Sequence, residues 1–212
     1  MNLDTYLVTG EALSAGRSTV EIVEAAIAGG VDVVQLRDKD RTVRERYETG
    51  RKLRELTREA GIPLVVNDRI DLAKAIDADG VHLGDDDLPI SVAREQLGAD
   101  AIAGRSVSTV AGAEEAAAAG ADYFGVGAVY GTTSKDTDPE SSEIGLGRVR
   151  AIADAVDVPF VGIGGITPEN AADVVRAGAD GVAVISAITA ADDPAAATRA
   201  LNEAVDAGRA TA

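Results

Sequence analysis

Short apolar runs alternate with longer amphipathic stretches along the chain, and this alternation predicts a regular α/β fold. The run over residues 31–36 is rich in valine, and β-branched residues suit a strand that is buried on both faces. It leads into the polar run 35–39, whose charged side chains would be costly to bury without partners. We therefore predict that this strand emerges at Gln35 into a polar pocket.

Eight such runs predict strands, and each is followed by a stretch with the apolar spacing of a helix. Two of these helices have clear N-terminal patterns: Thr42 with Glu45 forms a capping box, and Thr167 precedes Pro168. The predicted strands are 5–9, 31–36, 64–66, 80–83, 101–103, 122–126, 159–163 and 181–185. The predicted helices are 19–28, 43–60, 70–76, 89–97, 110–119, 147–156, 167–178 and 194–207.

Eight consecutive strand–helix units in 212 residues favour a single (β/α)8 TIM barrel, with an open doubly wound sheet as the alternative. No shift in composition marks a linker, so we expect one domain over residues 1–212, with a frayed tail from about residue 207. In a barrel the loops that follow the strands converge on one face, where active sites lie. Polar side chains that follow different strands are therefore expected to meet.

Composition disfavours some classes of binding partner and favours one cellular compartment. A formal net charge of -16, from 36 acidic and 20 basic residues, disfavours nucleic acid and anionic membranes, because both would repel the chain. There is no cysteine, no basic N-terminal leader and no apolar run of the roughly 18 residues that span a membrane. We expect a cytoplasmic protein, and homo-oligomerisation is left open. The acidic surface fits either an ordinary soluble protein or adaptation to high salt.

Two carboxylates follow neighbouring predicted strands. Asp68 follows the third strand, and Asp87 follows the fourth. Oxygen ligands of this kind suit Mg²⁺ held jointly with substrate phosphates. The alternative is that either aspartate caps a helix, and Asp87, just before Leu88 and Pro89, is a good candidate for that role.

Cations and a glycine-rich turn indicate phosphate ligands. Arg37, Lys39 and Lys135 would neutralise a diphosphate within a chain that is otherwise strongly acidic. The run 162–166 (GIGGI) precedes a helix, so its backbone N–H groups can hold a phosphate. Ser186 follows the eighth strand, and phosphate sites of such barrels commonly use the loops after strands seven and eight. Together these residues predict two phosphate-bearing ligands.

His82 is the single histidine of the chain. It lies within the fourth predicted strand, and we expect it to be packed or hydrogen-bonded rather than catalytic. No Ser/His/Asp triad can be assembled around it. The predicted chemistry is therefore transfer from a diphosphate by positioning and charge neutralisation, without a protein nucleophile.

Several ordered motifs resemble those of the thiamine-phosphate synthase family, and the likeness covers residues 6–188. Gln35-Leu36-Arg37-Asp38-Lys39 resembles the family's Q-L-R-[DE]-K, and Asn67-Asp68 resembles its N-D. The remaining motifs are 80–84 with Asp87, 104–106, 132–135, 164–166 and Ile185-Ser186. The resemblance implies a TIM barrel that joins 4-amino-2-methyl-5-hydroxymethylpyrimidine diphosphate to a thiazole phosphate, releasing pyrophosphate and thiamine monophosphate.

The resemblance also implies a role for each matched residue. The residues implied to hold the pyrimidine diphosphate are Gln35, Arg37, Lys39, Asn67, Ser106 and Lys135. Those implied to be catalytic are Arg37, Lys39, Ser106 and Lys135. Those implied to hold the thiazole phosphate are Thr132, Ser134, Gly165, Ile185 and Ser186, and the implied Mg²⁺ ligands are Asp68 and Asp87.

By the same resemblance the mechanism is dissociative: diphosphate leaves first, and the thiazole nitrogen then attacks the pyrimidine methylene cation. Four positions depart from the family pattern, namely Asp85, Arg105, Ala128 and Gly131. We expect Arg105 to form an outward salt bridge rather than to reach a phosphate. Two alternatives are a thiazole tautomerase-like paralogue, which shares only the thiazole half of the site, and a non-catalytic binder of phosphorylated ligands.

Overall fold

The computed structural model describes residues 1–10, 14–132 and 143–211, and eight parallel strands within them close into a barrel. The strands follow one another around the barrel in chain order, and the first pairs with both the second and the eighth. They are β1 (Thr5–Val8), β2 (Val33–Leu36), β3 (Leu64–Asn67), β4 (Gly80–Leu83), β5 (Ile102–Val107), β6 (Tyr123–Gly127), β7 (Phe160–Ile163) and β8 (Gly181–Val184). The predicted TIM barrel is confirmed.

Helices follow the strands and cover the outside of the barrel. Within the described ranges they are α1 (Thr19–Ala28), α2 (Val43–Ala60), α3 (Ile70–Ala75), α4 (Ile90–Leu97), α5 (Val110–Ala118), α6 (Gly145–Ala153), α7 (Pro168–Arg176), α8 (Ser186–Thr189) and α9 (Pro194–Arg209). The predicted capping box at Thr42 and Glu45 is confirmed, and Thr167 caps α7 as predicted. The sequence did not predict α8, a single turn that directly follows β8.

Strand β5 is longer than predicted. The expectation was residues 101–103, but the strand extends to Val107 and includes Arg105 and Ser106. It pairs with β4 at Leu83 and with β6 at Gly125, so its backbone groups are satisfied on both sides even where its side chains are polar. Ser106 therefore stands on a rigid strand and not in a loop.

The C-terminal helix α9 also continues past the predicted end at residue 207, as far as Arg209. The Arg209 guanidinium donates to the Asp4 carboxylate and to the Asp180 carbonyl, the latter at 2.6 Å. The hydrogen bond from Arg209 lowers the pKa of Asp4 despite its partial burial. This clamp holds the last turn of the helix beside the start of β1.

The core has two layers, because successive strand residues face opposite sides of the barrel wall. Leu7, for example, packs outward against the helices, whereas its neighbour Tyr6 points into the barrel. The inner layer is small and contains Leu3, Tyr6, Val8, Val33, Val65, Tyr123, Val161, Ala183 and Ile185. Two tyrosines thus occupy an interior that is otherwise mostly aliphatic.

Glycines make the space for the large interior side chains. A Cβ at Gly104 would lie 2.3 Å from Cζ of Tyr123 and 2.5 Å from its hydroxyl oxygen. A Cβ at Gly125 would lie 3.1 Å from Cε1 of His82. The glycines of β5 and β6 are therefore required by the packing of the barrel interior.

Gly104→Ala should lower the free energy of unfolding by about 1–3 kcal/mol, because the buried Tyr123 ring cannot move away from the added methyl group. The matched control is Gly147→Ala, where the Cβ would meet nothing within 4 Å in the exposed part of α6. That change should leave stability equal or raise it by up to about 1 kcal/mol. Thermal unfolding followed by circular dichroism would test this, and equal shifts in both variants would contradict it.

Candidate active site

Cavities lie at and below the carboxyl ends of the strands in the described part of the chain, and three of them carry predicted site residues. The largest, of about 680 Å³, lies over β5 to β8 and is called here the large cavity. The second, of about 390 Å³, lies beside β1 and β2 and is called the basic cavity because Arg17, Arg37, Lys39 and Arg41 line it. The third, of about 30 Å³, lies in the barrel interior and is called the inner cavity.

Residues predicted to hold the pyrimidine diphosphate meet around the inner cavity. Gln35, Arg37, Asn67 and Ser106 come from three different strands or strand ends, and all four line this space. Arg37 also lines the basic cavity, and Ser106 also lines the large cavity. The inner cavity therefore shares one predicted site residue with each of the two larger cavities.

Lys39 joins the diphosphate residues to the predicted metal ligands. Its Nζ lies 2.9 Å from Oδ2 of Asp68, with the lysine side chain 49% and the aspartate side chain 25% exposed. Burial opposes ionisation of Asp68, but the hydrogen bond from Lys39 and the contact with Asp87 outweigh it and lower the pKa of this carboxyl. Asp68 thus carries negative charge at the mouth of the barrel.

Asp87 is the second carboxylate of the pair. Burial raises its pKa, and the neighbouring Asp68 raises it further, against the opposing effect of the Gly84 N–H. That N–H donates to Oδ2 of Asp87 at 2.6 Å. Helix α4 begins at Ile90 and has Pro89 at its N-cap without a side-chain cap, so the alternative that Asp87 caps this helix is wrong.

Two adjacent carboxylates provide the oxygen ligands that Mg²⁺ prefers, and one or two of them suffice when substrate phosphates complete its shell. No group of three or more His, Cys, Asp or Glu side chains that could hold a metal occurs within residues 1–10, 14–132 and 143–211. The donor set at Asp68 and Asp87 therefore fits a metal held jointly with a ligand, and does not fit a metal held by protein alone.

Residues predicted to hold the thiazole phosphate surround the large cavity. Its lining includes Thr132, Gly165, Ile185 and Ser186. Ser134 and Lys135, the other members of this predicted loop, lie outside the described residues. Helix α8 starts at Ser186, so the wall after β8 is a helical turn and not an irregular loop.

The glycine-rich turn after β7 has the conformation that its sequence predicts. Gly164 and Gly165 have φ of 103° and 62°, which favour glycine. A Cβ at Gly165 would also lie 2.7 Å from the Gly131 carbonyl oxygen. Nδ2 of Asn170 donates to the Gly165 carbonyl at 3.0 Å and holds the turn against the first turn of α7.

His82 is hydrogen-bonded, as expected, and its partners belong to the site. Its Nδ1 lies 2.9 Å from the Tyr123 hydroxyl oxygen, and its Nε2 lies 2.9 Å from Oγ of Ser106. Tyr123 in turn contacts Tyr6, which accepts from Gln35. Sequence reasoning missed both tyrosines, although a tyrosine within a buried strand indicates that its hydroxyl needs a partner.

Two further arginines lie near the large cavity. Arg105 pairs with Asp85 at 3.4 Å, so the predicted salt bridge of Arg105 is confirmed. Arg148, at the start of α6, lines the cavity and donates to the Ser108 carbonyl at 3.2 Å. The sequence analysis missed Arg148, because nothing in its local pattern separates it from other helix-surface arginines.

No helix of the described part of the chain is long and apolar enough to cross a membrane.

Comparison with known proteins supports the motif analysis. Residues 5–188 match the family model described as thiamine monophosphate synthase. A thiamine-phosphate synthase of Natronomonas pharaonis is 76% identical over 201 residues, covering 95% of this chain and 94% of that protein. A thiamine-phosphate synthase of Haloarcula marismortui is 70% identical over 207 residues, covering 97% of this chain and 98% of that protein.

A solved structure shares both the fold and the sequence pattern. The thiamine phosphate pyrophosphorylase from Pyrococcus furiosus superposes with a TM-score of 0.89 at 42% identity, covering 98% of this chain and 97% of that one. The chain belongs to the thiamine monophosphate synthase family, a family of transferases.

Proposed function

We propose that the barrel mouth transfers the pyrimidinylmethyl group of 4-amino-2-methyl-5-hydroxymethylpyrimidine diphosphate to the nitrogen of a thiazole phosphate. The observation that carries this assignment is the position of Ser106, which lines both the inner and the large cavity. A pyrimidine held at the mouth of the inner cavity, which at about 30 Å³ is too small to enclose the ring, and a thiazole held in the large cavity would therefore face each other across Ser106. The products are thiamine monophosphate and pyrophosphate.

The diphosphate group would lie over the basic cavity. Arg37 and Lys39 line this cavity, and their charges would offset the charge of the leaving group, as the bond from carbon to oxygen breaks. In a chain of net charge -16, such a local concentration of cations is needed to attract a polyanion at all. Electrostatic stabilisation of departing pyrophosphate is therefore the main contribution of these residues.

Asp68 and Asp87 would hold Mg²⁺ together with the diphosphate oxygens. The bound ion would neutralise the leaving group as a Lewis acid. The short contacts of these carboxylates with each other and with Lys39 leave them close enough to act on one ion. Lys39 would then be released from Asp68 to contact phosphate.

The described site offers positioning groups rather than a nucleophile. His82 is held by two hydrogen bonds, and the chain has no cysteine. This composition supports a dissociative substitution, in which the pyrimidine methylene cation forms as pyrophosphate leaves and the thiazole nitrogen then supplies the electron pair for the new bond. The combined set of Asn67, Asp68 and Asp87 counts against a tautomerase-like paralogue, which shares only the thiazole half of the site, and turnover would distinguish the synthase from a simple binder.

The function is tested by Asp87→Asn, with pyrophosphate release and thiamine monophosphate formation measured against Mg²⁺ concentration. We expect product from the natural chain only with both substrates and Mg²⁺, and a loss of about 10- to 100-fold in kcat/KM for the variant, partly restored by excess Mg²⁺. Since the pKa of Asp87 is raised and its proton must leave before metal binds, the Mg²⁺ requirement should increase as pH falls.

The matched control is Asp86→Asn, an exposed neighbour in the same turn, which should behave like the natural chain. Product formation that is insensitive to EDTA would refute the metal assignment. Binding of the thiazole phosphate without any product under all conditions would refute the synthase assignment itself.

Lys135→Ala should lower turnover far more than it lowers affinity for the thiazole phosphate, because the lysine is assigned to the diphosphate and not to the thiazole. A charge-assisted contact of this kind corresponds to about 10- to 100-fold in kcat. Steady-state kinetics together with calorimetric titration of the thiazole phosphate would separate the two effects. Lys52→Ala, an exposed lysine on α2, is the control, and equal losses in turnover and affinity would contradict the assignment.

The acidic composition leads us to propose adaptation to high salt, and the relatives from Natronomonas and Haloarcula are halophile proteins. Screening would relieve repulsion among 36 acidic side chains, so the thermal midpoint should rise with KCl concentration from about 0.1 M towards the molar range. Circular dichroism melts over a KCl series would measure this. A midpoint that stays constant or falls with salt would contradict adaptation to high salt.

A further inference from the structure

A continuous series of hydrogen bonds crosses the barrel interior and is called here the interior chain. Nε2 of Gln35 donates to the Tyr6 hydroxyl at 2.8 Å, and the hydroxyl oxygens of Tyr6 and Tyr123 are 2.7 Å apart. The Tyr123 hydroxyl then contacts Nδ1 of His82, whose Nε2 contacts Ser106, both at 2.9 Å. The interior chain therefore connects Gln35 and Ser106, which are both assigned to the pyrimidine diphosphate. The three residues between them, which have no assigned role in substrate binding, are Tyr6, Tyr123 and His82.

Counting hydrogens gives the interior chain a direction. Because the Gln35 amide nitrogen only donates, Tyr6 accepts from it and can use its own hydrogen toward Tyr123. Tyr123 then donates to Nδ1 of His82. The imidazole must carry its proton on Nε2, which donates to Oγ of Ser106. The hydroxyl hydrogen of Ser106 is left to point into the cavities that this residue lines.

The opposite direction leaves one group unsatisfied. If Nδ1 of His82 donated to Tyr123, then either Tyr123 would donate to Tyr6 or Tyr6 would donate to Tyr123. In each case one of the two tyrosine hydroxyl hydrogens has no acceptor among the contacts of the described residues, and a buried unmade hydrogen bond is costly. Hydrogen-bond satisfaction thus favours the direction from Gln35 to Ser106.

Burial keeps this arrangement in place. Tyr6 and Tyr123 are 1% and 0% exposed, and burial raises the pKa of both hydroxyls, so each keeps its hydrogen near neutral pH. The Tyr123 ring also packs against the His82 ring, with centroids 5.4 Å apart. Because Gly104 and Gly125 have no side chain, the Tyr123 ring fits against the first and the His82 ring against the second.

We propose that Tyr6, Tyr123 and His82 are positioning residues that hold Ser106 as a hydrogen-bond donor to the pyrimidine diphosphate. The ligand class rests on the proposed function, but the direction of the interior chain does not. A directed donor at the junction of the two cavities would bind an oxygen or a ring nitrogen of the substrate and reject a group that can only donate. The buried tyrosines thus contribute to substrate selection without touching the substrate.

The first test is the tautomer of the imidazole, measured by long-range ¹H–¹⁵N NMR of ¹⁵N-histidine-labelled protein without ligand. His82 is the single histidine, so the spectrum has one imidazole to assign. We expect a neutral ring protonated on Nε2. A ring protonated on Nδ1, or on both nitrogens, would overturn the proposal. Because this readout needs no turnover, it stands or falls separately from the proposed function.

The second test asks whether the tyrosines act through Ser106. Tyr123→Phe should lower kcat/KM for the pyrimidine diphosphate by about 10-fold and leave KM for the thiazole phosphate unchanged. The same change made in a Ser106→Ala background should have an effect below about two-fold, because the donor is already absent. Equal factors in both backgrounds would overturn the proposal.

The control is Tyr47→Phe, which removes the hydroxyl of a tyrosine that is 37% exposed on α2 and should change neither the NMR spectrum nor the kinetics. Tyr6→Phe is the second variant in case Tyr123→Phe does not fold. It should also weaken the preference for the Nε2 tautomer, since Tyr123 then loses its donor and can turn its hydrogen away from His82. An unchanged preference in Tyr6→Phe would count against the directed chain.

Discussion

Closure of the parallel sheet is the constraint on which the rest of the structure depends. Strand β1 pairs with β2 on one side and with β8 on the other, at registers such as Tyr6 with Val33 and Tyr6 with Ala183. Every strand therefore has two neighbours, and all the carboxyl ends meet at one mouth. Residues separated by more than a hundred positions, such as Tyr6 and Tyr123, become hydrogen-bonded partners only through this closure.

The barrel interior combines packing with polarity in a single layer. Aliphatic residues such as Val65 and Val161 fill part of it, while Tyr6, Tyr123 and His82 fill the rest and satisfy one another's polar atoms. A buried polar group without partners would destabilise the barrel, so the hydrogen bonds are as necessary to the fold as they are to the proposed site. The side chains that stabilise the barrel interior are thus the same ones that we propose to position Ser106.

Charge is distributed unevenly between the mouth and the surface. The chain has a net charge of -16, yet Arg37 and Lys39 meet at the basic cavity, close to the carboxylates of Asp68 and Asp87. Without a ligand, Lys39 and Asp68 compensate each other's charge, with Nζ and Oδ2 2.9 Å apart. Under the proposed function, the diphosphate would compensate the charge of Lys39 and Mg²⁺ would compensate that of Asp68, so neither group would be left uncompensated when the pair separates.

Local patterns in the sequence were enough to predict the eight strand–helix units, the capping box at Thr42, the N-cap at Thr167, and the glycine turn at Gly164 and Gly165. These features depend on residues close in the chain, whose spacing and conformational preferences are visible directly. The family motifs added the residues that line the cavities. Their assigned roles remain predictions, and Ser134 and Lys135 lie outside the described residues.

Only the tertiary structure decided the length of β5, the environment of Asp87 and the path of the interior chain. Strand β5 continues through Arg105 and Ser106 because pairing on both edges outweighs side-chain polarity. Asp87 contacts Asp68 and the Gly84 N–H instead of capping α4. The local sequence pattern does not distinguish these two roles of the aspartate. The sequence by itself thus determined the elements and the chemistry available, whereas long-range packing decided which side chains meet, because contacts between distant residues leave no periodic pattern in the chain.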